Sequence, residues 1–233
     1  MRNNKGRGLP QRSINTFTDI YQYLLKKPPV KTRVDYNVGT RKELSNSILQ
    51  RTGVNVENYK MLNLHRVGIE APASYVFDEL LKWNGDSICW PNHIARVNLQ
   101  NNSLKHIKIS LFGINKRILG LNIFHLFDLS SIRIQKVPSI TDADNARYLL
   151  YECKGGYPIG VFSMYVRSSI PERGEKEMSQ LFMMVSFNFY GKNNSRINIF
   201  NRIWEKIHNR VTSNVVYRFK QFCEWRFETF VNE

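Results

Sequence analysis

The sequence lacks any long apolar segment. No run of about eighteen apolar residues, the length that a membrane-spanning helix needs, occurs in the chain. The first twelve residues, MRNNKGRGLPQR, contain no hydrophobic stretch that could act as a secretory signal. These absences predict an intracellular protein that is soluble or peripherally bound to a membrane.

Cysteine is also scarce. The three cysteines, Cys89, Cys153 and Cys223, are odd in number, far apart and without metal-ligand spacing. They therefore indicate neither a disulfide framework nor a zinc site, and packed, reduced thiols are the simpler interpretation. The sequence also has no glycine-rich phosphate loop and no nucleophile elbow. We predict no cofactor and no metal.

Acidic residues are too few to balance the basic ones. The chain has 34 Lys and Arg against 19 Asp and Glu, a formal net charge of +15. Residues 1–60 hold 12 basic and 4 acidic residues, a balance of +8, and residues 61–233 hold 22 and 15, a balance of +7. The first segment is therefore charged at more than twice the density of the second. The electrostatic field of this positive charge attracts polyanions and anionic membranes. The alternative interpretation is that the basic composition serves solubility alone.

Basic residues of the N-terminal segment are the candidates for contact with a polyanion. They are Arg2, Lys5, Arg7, Arg12, Arg33, Arg41, Lys42 and Arg51. Mixed with tyrosines, they suit phosphate contact and base stacking, but RNA, an anionic membrane and a larger protein assembly all remain open as partners. No acidic residue precedes Asp19. That pattern is compatible with a mitochondrial or plastid targeting sequence.

Helix and strand signals divide the chain near residue 60. Residues 1–60 are predicted to form a basic N-terminal extension with short helices at about 18–27 and 41–52, which proline and glycine residues terminate. Residues 61–233 are predicted to form one α+β domain. A strand over 61–70 leads through Ala71 and Pro72 into a helix, and segments with period-two alternation follow.

A long helix closes the predicted domain. The segment from about 198 to 229 contains no proline or glycine, and its apolar residues recur at three-to-four spacing. The stripe comprises Phe200, Trp204, Ile207, Val211, Val215, Phe219 and Phe222. We predict a helix-grip fold, in which a curved antiparallel sheet of about six to seven strands wraps around the C-terminal helix.

Two stretches in this order resemble a known superfamily. VGIEAPASYVFDELLKW (67–83) resembles the opening of the START-like helix-grip superfamily (SRPBCC), which includes polyketide cyclase/dehydrase and lipid-transport proteins. YECKGGYPIGVFSMYVR followed by MSQLFMMVSFNFYG resembles its central hairpins. With the terminal helix, the resemblance spans about residues 61–230. Residues 112–145 match it poorly, and residues 1–60 resemble no family that we can name.

The resemblance implies an apolar ligand held between the sheet and the long helix. The candidate ligand-binding residues are Phe162, Met164, Met183, Phe187, Phe200, Trp204, Ile207 and Phe219. Side chains of this size could line a lipid pocket, but at normal packing density they could equally fill it.

His65 is the one weak candidate for catalysis. It shares a strand face with Val67 and Ile69, so it is predicted to point inward, where an imidazole could act as an acid or base. A lone inward histidine is more often structural, and no paired carboxylate or nucleophile spacing accompanies it. Nothing in the sequence argues for an enzyme.

Three functions follow in order of preference. The first is non-enzymatic binding or transfer of a hydrophobic small molecule, such as a lipid or a quinone, in the sheet-helix cavity. The second is a structural subunit of a ribonucleoprotein or membrane complex, anchored by the basic extension. The third is a cyclase or dehydratase.

Overall fold

The structure is a computed structural model. It describes the chain in these ranges: residues 16–35, 59, 61–83, 89–101, 103–111, 125–136, 147–153, 159–169, 178–188 and 198–233. The predicted helix over 41–52 lies outside them.

Seven strands and three helical segments are present in the described ranges. Near the N-terminus, α1 (Thr16–Asp19) continues directly into one π-helical segment (Ile20–Leu25), and we call the two together the N-terminal helix. The other helices are α2 (Ala73–Leu81) and α3 (Asn198–Asn232). The strands are β1 (Met61–Ile69), β2 (Ala95–Gln100), β3 (Ser103–Leu111), β4 (His125–Lys136), β5 (Arg147–Cys153), β6 (Ile159–Ser168) and β7 (Ser179–Asn188).

All seven strands form one antiparallel sheet in the order β1-β7-β6-β5-β4-β3-β2. Strands β2 to β7 form a meander, and β1 returns to pair with β7. Bulges in the β2–β3, β3–β4 and β4–β5 ladders bend and twist the strands. With α3 following the last strand, this topology confirms the predicted α+β helix-grip fold.

Local sequence explains where the elements turn and where they do not. Asn101 adopts a φ of 54° in the turn between β2 and β3, a conformation that asparagine tolerates better than most residues. Strand β4 contains no glycine or proline between His125 and Lys136. It therefore runs for 12 residues without a turn, with a bulge between Ser131 and Arg133.

Both faces of the sheet carry buried residues. The inner face carries the main core, to which β1, β7, β6 and β5 contribute alternate residues and which α2 and α3 cover. The outer face carries a smaller buried cluster, comprising Leu62, Leu64, Leu150, Val161, Tyr165, Phe182 and Met184. Because side chains alternate along a strand, the cross-strand register fixes which residues share the inner face.

Helix α3 is the longest element of the described chain. Its 35 residues extend for about 52 Å, so it can cover the inner face from end to end. Val215 and Phe219 are buried in the main core, and Val211 and Phe222 pack against it while partly exposed. The predicted stripe is therefore correct at these four positions.

Ile207 is an exception to the stripe. Its side chain is 43% exposed, so the expectation that it faces the sheet is wrong. At 100° per residue, Trp204 and Val211 leave Ile207 and His208 equally well placed. His208 lies midway around the helix between the buried Val215 and Phe219, whereas Ile207 lies about 100° away from them. His208 therefore occupies the inward position. A search of the sequence for apolar residues alone does not identify it.

Residues 16–35, which we call the strap, pack against the domain. Tyr23 is buried in the main core, and the side-chain amide of Asn214 donates to the carbonyl oxygens of Tyr23 and Lys26, at 3.0 and 2.9 Å. Further on, the strap pairs with the free edge of β1. The Val34 N–H donates to the Leu64 carbonyl, and the Arg66 N–H to the Thr32 carbonyl.

Candidate functional site

A single row of inner-face residues crosses four strands in the middle of the grip. Its members are Asn63 on β1, Val185 on β7, Phe162 on β6 and Tyr151 on β5, and each is the register partner of the next. The row spans about 14 Å, since neighbouring strands lie about 4.8 Å apart. It combines an apolar centre with a polar group at each end.

The apolar centre of this row is not fully covered. Val185 is only partly buried, although β7 lies between β1 and β6 and its cross-strand neighbours Asn63 and Phe162 are buried. Val211, on the inward side of α3, is likewise partly buried while packed against the core. We infer that the exposed part of Val185 faces space between the sheet and the helix.

The predicted ligand-binding residues divide into three groups. Buried on the inner face or on α3 are Phe162, Met164, Met183, Phe187 and Phe219. Trp204 is partly buried on the inward line of α3, and Ile207 lies off that line. Phe200 falls near the start of α3, where only the backbone belongs to the described part of the chain. Ligand binding by these residues stays a prediction.

Two polar atoms at the ends of the row are buried without a hydrogen-bond partner among the described residues. They are the hydroxyl oxygen of Tyr151 and the Oδ1 atom of Asn63. The Tyr151 ring stacks on Phe162, with centroids 6.0 Å apart. Burial raises the pKa of the Tyr151 phenol, so the hydroxyl keeps its proton and can donate a hydrogen bond. Leaving such a group unpaired costs about 1–3 kcal/mol.

A polar cluster flanks the row between β1 and α3. The Nδ2 atom of Asn63 lies 3.0 Å from His208 Nδ1, to which it donates. His65 lies two residues along β1 from Asn63, and its Nε2 atom donates to Asn209 Oδ1 at 3.1 Å. Its Nδ1 atom accepts from the hydroxyls of Thr32, at 3.1 Å, and Ser213, at 3.4 Å. The cluster joins the strap, β1 and α3.

Both histidines of this cluster are neutral at physiological pH. The pKa of His65 is lowered to about 4, and burial is the main cause. The hydrogen bond to Asn209 opposes this shift, and the electrostatic influence of His208 and Arg33 adds to it. Burial also lowers the pKa of His208 to about 4. The polar groups that these side chains turn to the inner face are therefore uncharged.

His65 is arranged as a structural residue. It is fully buried, and both of its ring nitrogens are bonded to side chains of this chain. An imidazole in that position has no nitrogen left to exchange a proton with a substrate. This geometry favours the structural interpretation that the sequence left open beside catalysis.

Of the basic residues predicted to contact a polyanion, only Arg33 lies in the described ranges. Arg2, Lys5, Arg7, Arg12, Arg41, Lys42 and Arg51 fall outside them. The Arg33 guanidinium lies 3.7 Å from the carboxylates of both Asp35 and Glu205. Its side chain is half exposed, so it also remains accessible from solvent.

The described residues form neither a metal-binding cluster nor a membrane-spanning helix. They contain no group of three or more His, Cys, Asp and Glu side chains placed to hold a metal ion. None of their helices combines the length and the apolar character needed to cross a membrane.

Sequence reasoning missed the polar ends of the row. Tyr151 alternates with Leu149 on the inner face of β5, so strand parity could have placed it inside. Asn63 could have been placed in the same way from His65. The alternation of side chains along a strand does not give the register between strands. Only that register shows that Tyr151 and Asn63 lie in one row with Val185.

No protein-family model matches the chain, and no curated protein matches its sequence. Among solved structures, a conserved protein from Geobacillus kaustophilus is 12% identical over 70% of this chain and 95% of its own, with a TM-score of 0.41. A START superfamily protein from Mycobacterium smegmatis is 10% identical over 72% and 98%, with a TM-score of 0.39.

A third similar structure is norcoclaurine synthase from Thalictrum flavum. It is 9% identical, covers 85% of this chain and 99% of its own, and has a TM-score of 0.41. The helix-grip fold of this chain rests on its own strand order and on helix α3.

Proposed function

We propose that the protein binds an apolar small molecule with an uncharged hydrogen-bonding group, such as a lipid or a quinone, between the sheet and α3. The observation that carries the proposal is the partly exposed Val185 on the inner face of β7, between β1 and β6. A side chain in that position is normally covered by its neighbours, because protein interiors pack closely.

The chemistry of the row supports this class of ligand. Phe162 and Val185 present apolar surface, and the Tyr151 hydroxyl and Asn63 Oδ1 atom offer one hydrogen-bond donor and one acceptor. The histidines beside Asn63 are neutral. An uncharged polar group therefore suits the row, since burying an ionised group without a counter-charge is costly.

Tyr151 is the residue that we expect to orient the ligand. Its hydroxyl would donate to a carbonyl or hydroxyl oxygen of the bound molecule, which removes the cost of leaving the phenol unpaired. A neutral hydrogen bond of this kind contributes about 1 kcal/mol, or about fivefold in affinity.

Two neutral fluorophores test the proposal on the full-length chain. Prodan carries a ketone oxygen, and N-phenyl-1-naphthylamine does not. We expect both to bind, and Tyr151→Phe to weaken prodan alone by about fivefold. The matched control is Tyr165→Phe, which removes a buried hydroxyl from the outer face of the adjacent strand, and should leave both affinities unchanged.

Filling the open centre separates a ligand-binding grip from a solid core. Val185→Trp should abolish the binding of both fluorophores and leave the melting temperature nearly unchanged, because the new ring enters existing space. In a filled core the same change would overpack the interior, at a cost of about 1–3 kcal/mol. No fluorophore binding by the parent chain, together with that destabilisation, would reject the proposal in favour of a structural subunit.

A further inference from the structure

The N-terminal helix leaves a row of large apolar side chains in solvent. Phe17, Tyr21 and Leu25 are 84%, 59% and 67% exposed. Their spacing of four residues places them along one side of the helix. The opposite side is docked, since Tyr23 is buried in the core and the Asp19 carboxylate accepts from the His93 N–H at 3.3 Å. The exposed row is thus fixed in position on the outside of the domain.

The apolar surface continues beyond this helix. Val30, later in the strap, is 40% exposed, and Ile203 and Ile207 on α3 are 51% and 43% exposed. The Arg33–Glu205 ion pair holds the strap beside this part of α3. Ile203, Ile207 and Asn214 also lie on one side of α3 by helical spacing, and Asn214 is the residue that binds the end of the N-terminal helix.

The charge around these side chains is predominantly positive. Residues 16–35 and 198–210 hold three acidic residues. Asp19 is buried, and Asp35 and Glu205 both contact Arg33. The same ranges hold seven basic residues: Lys26, Lys27, Lys31, Arg33, Arg202, Lys206 and Arg210. Exposed aromatic and aliphatic side chains bordered by lysine and arginine are the combination with which amphipathic helices bind anionic lipid surfaces.

We propose that this surface, formed by Phe17, Tyr21 and Leu25 with their basic border, docks the protein onto an anionic lipid bilayer. The apolar side chains enter the boundary between headgroups and acyl chains, and the lysines and arginines contact the lipid headgroups. Docking through this surface does not depend on whether the grip holds a ligand.

Vesicle co-sedimentation with the full-length chain tests the proposal. We expect binding to vesicles of phosphatidylcholine and phosphatidylserine, weak binding to phosphatidylcholine alone, and loss of the difference at molar salt. The triple variant Phe17→Ser, Tyr21→Ser, Leu25→Ser should lower the affinity for the anionic vesicles by about tenfold or more. This variant keeps every charge of the chain, so it separates docking by the helix from attraction by basic residues elsewhere.

Two controls decide the outcome. Phe230→Ser removes an aromatic side chain that is 68% exposed at the other end of α3, and it should not change vesicle binding. Circular dichroism should give the same melting temperature for the triple variant and the parent. Equal vesicle binding by the triple variant and the parent would overturn the proposal. So would a lack of vesicle binding combined with single-stranded RNA binding that the triple variant weakens.

Discussion

The Nδ1 atom of His65 on β1 lies 3.1 Å from the hydroxyl oxygen of Thr32 in the strap, although 33 residues separate them in sequence. On the other side of the ring, Nε2 is bonded to Asn209 of α3. Because Asn209 Oδ1 accepts, the proton of the neutral ring sits on Nε2, and Nδ1 accepts from Thr32. One imidazole therefore connects the strap, the edge of the sheet and the long helix.

Thr32→Val should loosen the strap. Valine keeps the shape of threonine but removes the hydroxyl that donates to His65, and the buried Nδ1 atom then keeps only the longer contact with Ser213. We expect a loss of about 1–2 kcal/mol in the free energy of unfolding, measured by guanidinium titration. Limited proteolysis should cut the strap faster.

A second threonine provides the control for this change. Thr229 donates its hydroxyl to the Trp225 carbonyl on the exposed end of α3. Thr229→Val should change the stability by less than about 0.5 kcal/mol. Equal effects of the two substitutions would show that the Thr32–His65 bond does not hold the strap.

The two histidines between β1 and α3 predict a loss of stability in acid. Their pKa values fall from 6.5 to about 4 on folding, so between these values the unfolded chain binds protons that the folded chain does not. Stability is therefore lost as the pH falls from 6.5 towards 4, by at most about 3 kcal/mol for each histidine. Above pH 6.5 both rings are neutral in both states, and their contribution is constant.

Glutamine replacements measure this contribution. The double variant His65→Gln, His208→Gln cannot titrate, so its stability should fall less steeply than that of the parent between pH 6.5 and 4. The exposed His106→Gln variant is the control and should retain the parent's slope. Parallel curves for the double variant and the parent would contradict the assignment of the two histidines.

The fold was largely predictable from local patterns. The alternation in β3 and β7, the proline before α2 and the uninterrupted apolar spacing of α3 each correspond to an observed element. The stripe on α3 was wrong at Ile207 because helical spacing alone permits either Ile207 or His208 to face inward. The sheet decides between them, since Asn63 provides a hydrogen-bond partner that a histidine can use.

The candidate site was less predictable for a physical reason. Its apolar residues, such as Phe162 and Met183, follow from strand parity. Its polar ends depend on register, which places Tyr151 and Asn63 in one row across four strands. The docking of the strap was also out of reach, because the bond between Thr32 and His65 and the insertion of Tyr23 into the core are tertiary contacts between distant segments.

Trp204 and Phe219 should respond differently to truncation. Phe219 is buried in the main core, so Phe219→Ala should cost about 3–5 kcal/mol of stability. Trp204 lies on the same inward line of α3 but is only partly buried. We therefore expect Trp204→Ala to cost less stability than Phe219→Ala while changing the affinity for prodan more.

The comparison requires both measurements on each variant. Guanidinium titration gives the free energy of unfolding, and prodan fluorescence at a temperature where each variant is folded gives the affinity. If Trp204→Ala destabilises the chain as much as Phe219→Ala and leaves prodan affinity unchanged, Trp204 belongs to a solid core and not to a ligand site. If it mainly alters affinity, the open space at Val185 extends along α3 to Trp204, and the ligand lies along the helix as well as across the strands.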